Sequence, residues 1–135
     1  MDLEVRFEGN KKINAYYKGH VIRTDQSLKA GGDDTASAPF DLFLASIGTC
    51  AGIYVKSFCD KRDIPTDGIR IIQSAEYDKQ TGLPVNISLD IQLPGNFPEK
   101  YRQAVINAAD LCKVKKTLAS PPEFRIATSI SEEVK

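Results

Sequence analysis

The amino-acid sequence predicts an α+β domain: mainly antiparallel strands, one long buried central helix and a second helix. Three observations predict it. Several segments alternate apolar and polar residues with period two, the pattern of half-buried strands. One stretch of about twenty residues has no proline and no turn cluster, and is apolar or small almost all the way round. The elements run strands, helix, two strands, helix, short helix, strand, an order that suits helices packed on a largely antiparallel sheet. The 135 residues, 41% hydrophobic and 27% charged, make a single domain spanning 1–135. A chain of this size is expected to bury roughly two-thirds of its unfolded surface.

Leu3, Val5 and Phe7 alternate with Glu4, Arg6 and Glu8, and Ile13, Ala15 and Tyr17 continue after Gly9-Asn10. Lys18-Gly19 predicts a turn into a third short strand from His20. Gln26 to Ala38 is rich in Gly, Asp, Ser and Thr and reads as a loop. Ser37 is expected to cap the long helix, with Pro39 in its first turn and Asp41 complementing the dipole. That helix is expected from Asp41 to about Arg62. A helix hydrophobic all round belongs at the centre of a domain or an oligomer. Gly48 and Gly52 within it each cost about 1 kcal/mol relative to alanine, so close approach by another backbone or a ligand is expected there.

Asp63-Ile64-Pro65 ends the helix. Gly68 to Asp78 and Val85 to Leu93 read as strands joined at Gln80-Thr81-Gly82. A second helix begins near Pro98-Glu99 with an apolar stripe of Tyr101, Val105, Ala108, Ala109 and Cys112. Cys112 to Leu118 is a short further helix or turn, stopped by Pro121-Pro122. Phe124, Ile126, Thr128 and Ile130 predict a last strand, and Ser131 to Lys135 a polar tail.

Lys+Arg 18 balance Asp+Glu 18. A zero net charge argues against a nucleic-acid partner and against a polybasic membrane module, and leaves self-association unopposed. The first residues lack the basic and apolar regions of a secretory signal. The longest apolar stretch, Leu42 to Val55, is 14 residues, short of the ~20 of a membrane span. A cytoplasmic location follows as the expectation, with reduced thiols.

The single His20, at a turn, provides no hydrolytic triad. Three cysteines without Cys-x-x-Cys give no zinc spacing, and no phosphate-cradling glycine motif is present. Neither metal nor cofactor is expected. Cys50 lies mid-helix among Gly48, Thr49, Ala51 and Gly52, which leave room beside its sulfur. Cys112 stands where the second helix yields to the short one. There, unpaired N–H groups and Lys113, Lys115 and Lys116 would lower a thiol pKa. Cys59, nine residues after Cys50 at about 100° each, points to the opposite side of the helix and reads as structural. On these grounds Cys50 is open to two readings, a buried inert thiol or a reactive one.

The stretch from Gly31-Gly32-Asp33-Asp34-Thr35 through Pro39-Phe40-Asp41-Leu42 to Gly48-Thr49-Cys50, with Cys112-Lys113-Val114-Lys115-Lys116-Thr117-Leu118 about 60 residues on, resembles the osmotically inducible protein C and organic hydroperoxide resistance family (OsmC/Ohr). The resemblance covers nearly the whole chain. It implies an intertwined homodimer built on the two long helices. It also implies an oxidative-stress role as a thiol peroxidase, with Cys50 attacking a hydroperoxide, Cys112 resolving the sulfenic acid as a disulfide, and an external dithiol reducing that disulfide.

The match departs from the family at three places. Phe40 stands where the best-characterised peroxidases carry glutamate, with Asp41 one place later. Lys29 is the nearest cation where they carry an activating arginine, and lysine does not reproduce a guanidinium fork. Lys113 replaces the proline of the commoner Cys-Pro-Val. The expectation is slow reduction of bulky organic hydroperoxides. The alternative is a non-enzymatic dimer that binds a small apolar ligand or senses oxidants.

Overall fold

The computed structural model describes residues 2–131. β1 (Glu4–Phe7), β2 (Ile13–Tyr17) and β3 (His20–Ile22) form an antiparallel sheet in the order β1-β2-β3. Lys18 and Gly19 both take positive φ, 51° and 79°. This two-residue turn matches the strand twist and is the hairpin the sequence predicts. β4 (Arg70–Tyr77) and β5 (Pro84–Gln92) form a separate antiparallel pair, with a register shift at Glu76/Tyr77. Between the sheets runs α1 (Pro39–Asp60). After β5 come a 3-10 turn at Glu99–Tyr101, α2 (Arg102–Asp110) and α3 (Lys113–Ala119).

α1 starts two residues before the expected point. Its N-cap is Ala38, which makes no side-chain cap bond, and Pro39 occupies the first turn, where a missing N–H costs nothing. Ser37 is therefore not the cap. It is drawn into the preceding loop, where its carbonyl accepts from the Asp25 N–H at 3.2 Å. At the far end the helix stops at Asp60, and Asp63 turns left-handed at φ 54° just before Ile64-Pro65.

Within this chain α1 buries one stripe, not its whole circumference. Ile47, Ala51, Val55 and Cys59, spaced four apart, are buried, whereas Ile53 is 58% exposed. The reason is supply: among the described residues α2, α3 and β4 are the main elements packed against it. By length and composition alone α1 could cross a membrane, longer than the 14-residue apolar stretch Leu42 to Val55 suggested. In the fold its stripe is the wall on which α2, α3 and β4 assemble. The core joins Val55 and Cys59 to Phe97 and Val105, with Ile71, Ile91 and Tyr101 among the residues packed around them.

Within this chain, what approaches α1 at Gly48 is a side chain. Gln73 of β4 donates from Nε2 to the Leu44 carbonyl at 2.9 Å, and a Cβ on Gly48 would lie 2.7 Å from its Oε1. Gly52 has only ordinary contact with Ile71.

Two parts of the chain find no core. The first sheet has no fully buried residue, and Phe7 is 85% exposed. Phe124 to Ile130, expected as the last strand, forms none: Phe124, Ile126 and Ile130 are 83%, 96% and 91% exposed. An alternating pattern becomes a strand only where a sheet edge accepts its backbone, and within this chain none does. Most of the expected polar tail, 132–135, lies outside the described residues.

Candidate functional site

Cys50 and Cys112 are brought together by α1 and α3. Cys50 sits on a flank of α1, off the buried stripe, and is half-buried. Cys112 is fully buried and is the N-cap of α3. Its Sγ accepts the Lys115 N–H at 3.5 Å, doing with sulfur what an N-cap serine does with oxygen. Both thiols, like that of Cys59, are reduced.

The opening turn of α3 serves Cys50 as well. The backbone N–H of Val114 foremost, then the Cys112 thiol and the Lys113 N–H, favour the charged form of the Cys50 sulfur. The Lys113 charge acts on the same sulfur. Together they pull the Cys50 pKa below the ordinary thiol value, against the partial burial that pushes it up. Hydrogen bonds to the charged form outweigh desolvation here. The sequence points to α3 as a source of N–H groups for Cys112. That Cys50 shares them depends on helix packing, which no local spacing encodes.

Cys59 has the opposite environment. It is fully buried in the core, and burial raises its pKa. It lies on the buried stripe of α1, half a turn from Cys50.

The remaining expected site residues stand apart from the cysteine pair within one chain. Phe40 lies in the first turn of α1 and packs on Phe43 at 5.4 Å between ring centroids. Asp41 is beside it and exposed. Nine or ten residues of helix at 1.5 Å each separate them from Cys50, about 15 Å along the axis. Lys29 is exposed on the 3-10 turn Leu28–Ala30. None of the groups acting on Cys50 is Lys29, Phe40 or Asp41.

The loop carrying Lys29 is rigidly built. Asp25 is fully buried. Its carboxylate accepts from the Thr35 hydroxyl at 2.6 Å and from the N–H groups of Gln26, Thr35 and Asp33. These bonds, the Thr35 hydroxyl foremost, hold its pKa far below the usual carboxylate range. Gly32 closes the loop: a Cβ there would lie 2.1 Å from the Gln26 carbonyl oxygen.

A cavity of about 560 Å³ reaches the pair from the Cys112 side. Ile47, Ala51, Leu89, Val105 and Cys112 line it, with Arg102, Asp110 and Lys115 among its charged groups.

A family model described as OsmC-like protein matches residues 31–127. No curated protein sequence matches the chain. Among solved structures, the chain is similar to a Psychrobacter arcticus 273-4 protein described by osmotic stress induction and detoxification response, with TM-score 0.72 and 19% identity over 85% of each chain. It is similar to a hypothetical protein from Aquifex aeolicus VF5, with TM-score 0.67 and 19% identity over 89% of this chain and 87% of that one. The organic hydroperoxide resistance protein OhrB of Bacillus subtilis gives TM-score 0.53 and 19% identity over 90% and 93%. At these identities the likeness is one of fold.

Proposed function

The chain belongs to the OsmC-like protein family, and on that footing we propose that it reduces organic hydroperoxides through Cys50, with Cys112 as the resolving thiol. The observation that carries the reading is the pair itself: two free thiols on the facing elements α1 and α3, with backbone N–H groups and the neighbouring thiol favouring the thiolate of Cys50. A thiolate is the nucleophile that attacks a peroxide. A neighbouring thiol rescues the resulting sulfenic acid before irreversible oxidation. An external dithiol then reduces the disulfide and closes the cycle. The naming of OhrB for organic hydroperoxide resistance points the same way.

The working unit in this proposal is a homodimer. The chain alone exposes 10762 Å², whereas a compact monomer of 14.9 kDa exposes roughly 7,000 Å². The excess, roughly 3,700 Å² on each chain, is surface for a second copy to cover, on the scale of the large obligate interfaces, which bury upward of about 2,000 Å² over both partners together. The uncovered faces are the first sheet, the open flank of α1 and the segment Phe124 to Ile130. A second copy would also be the route by which Lys29 or Asp41 reaches a cysteine pair that they cannot touch in their own chain. Neither nucleic acid nor membrane is a partner in this account, and the cytoplasm is its compartment.

Turnover of an organic hydroperoxide with a dithiol reductant tests the proposal. Peroxide consumption that needs both the dithiol and Cys50 is expected. A wild-type protein that consumes none would overturn it. The second reading, a binding protein for a small apolar molecule, has the 560 Å³ cavity in its favour. It predicts saturable binding of such a molecule with all three thiols left intact by peroxide.

A further inference from the structure

The two cysteines border different spaces. Cys50 is half-buried on the flank of α1. Cys112 is 1% exposed, yet it forms part of the wall of the 560 Å³ cavity. α1 gives that wall Ile47 and Ala51, on either side of Cys50 in the chain, but Cys50 is not part of it. The volume falls within the roughly 300–1,000 Å³ of small-molecule sites. Its charged groups are Asp90 and Asp110 against Arg102 and Lys115, two of each sign, so it selects neither an anion nor a cation. Which sulfur of a disulfide is attacked depends on access and on how readily the other sulfur leaves. Both conditions favour attack on Cys112. A reductant inside the cavity meets Cys112 and not Cys50. The sulfur it expels is that of Cys50, whose thiolate the opening turn of α3 favours, and a thiol of lower pKa leaves faster.

Resting on the thiol-peroxidase reading, we infer that this cavity is the entrance of the reductant: a small dithiol enters it and attacks the Cys112 sulfur of the oxidised pair, while the peroxide meets Cys50 on the flank of α1. One thiol of the reductant gives its proton to water and attacks as the thiolate. An S–S bond to Cys112 forms as the bond between Cys112 and Cys50 breaks, and the electron pair leaves with Cys50. The second thiol of the reductant loses its proton and attacks the reductant sulfur of this mixed disulfide. A disulfide closes within the reductant, and Cys112 departs as a thiolate that takes a proton from water. Two electrons have passed from the dithiol to the pair, and both cysteines are free again. A sulfur 1% exposed is out of reach of a broad protein surface, so the attacker is one slender enough to enter the cavity.

The test begins with wild-type protein oxidised by one equivalent of tert-butyl hydroperoxide. It is treated briefly with 2-mercaptoethanol, a monothiol that leaves the mixed disulfide open, and quenched with N-ethylmaleimide before its peptides are mapped by mass. Cys112 should carry the mercaptoethanol and Cys50 the maleimide, with the reverse pair a minor product. The reverse pair in equal or greater amount would overturn the inference while leaving the peroxidase reading standing. A second measurement tests the entrance. Leu118 is an exposed residue of α3 on the cavity wall. Leu118→Trp should slow reduction of the oxidised protein by dithiothreitol severalfold, and slow oxidation of the reduced protein by the hydroperoxide much less. Reduction at the wild-type rate, or an equal fall in both reactions, would overturn the cavity as the entrance. A wild type in which the hydroperoxide forms no bond between Cys50 and Cys112 would overturn both the inference and the reading it rests on.

Discussion

At the residue scale the three cysteines separate by environment. Cys50 receives N–H groups, Cys112 caps a helix with its sulfur, and Cys59 sits in the core. Cys50→Ser should abolish peroxide turnover. Cys112→Ser should allow one oxidation event that stalls at the sulfenic acid or proceeds to the sulfinic acid, as intact mass would show. Cys59→Ser should turn over like the wild type with some loss of stability, because a hydroxyl replaces a thiol in an apolar core. The lowered pKa of Cys50 sets a sign for pH. Its alkylation should reach half-maximal rate at a lower pH than that of an unperturbed cysteine thiol. The helical phase of Cys50 against Cys59 was legible in the sequence, because nine residues at a fixed pitch decide it. The donors to Cys50 were not, because Val114 lies more than sixty residues away in the chain.

At the element scale the glycines make opposite predictions. Gly32→Ala drives a Cβ into a backbone carbonyl held by the Asp25 network, so the loop must rearrange and the unfolding midpoint should fall clearly. Gly48→Ala meets only the end of a flexible glutamine. Losing the Gln73 bond to Leu44 costs about 1 kcal/mol, and alanine in a helix returns about as much, so the midpoint should barely move. Asp25 adds a pH dependence. Its pKa is depressed in the folded chain, so its stabilisation is complete above the unfolded carboxylate value near 3.9. It is lost as pH falls from there through the folded value. Denaturant unfolding from pH 7 down to pH 3 should show the wild type losing stability as pH passes below about 4. Asp25→Asn, less stable at pH 7, should lose less over the same range. The strands β4 and β5 were legible because each carries its own alternation and turn. Phe124 to Ile130 carries the same alternation and forms no strand, because a period-two pattern says nothing about which edge will accept it.

At the scale of the whole molecule, the apolar or small character of Leu42 to Val55, with no charge within it, was legible, and one chain leaves much of it uncovered. The exposed surface predicts that the protein runs as a dimer at micromolar concentration by light scattering; a monomer there would contradict the interface argument. A charge on the open flank of α1, Ile53→Glu, should shift it toward monomer and lower its stability. The central claim concerns two thiols, and one measurement reaches it directly. The reduced protein is treated with one equivalent of an organic hydroperoxide, its free thiols are counted, and the joined peptides are mapped by mass. The account predicts that two thiols per chain disappear, that Cys50 and Cys112 are joined, and that Cys59 stays free. Three thiols remaining, or a bridge that includes Cys59, would contradict it.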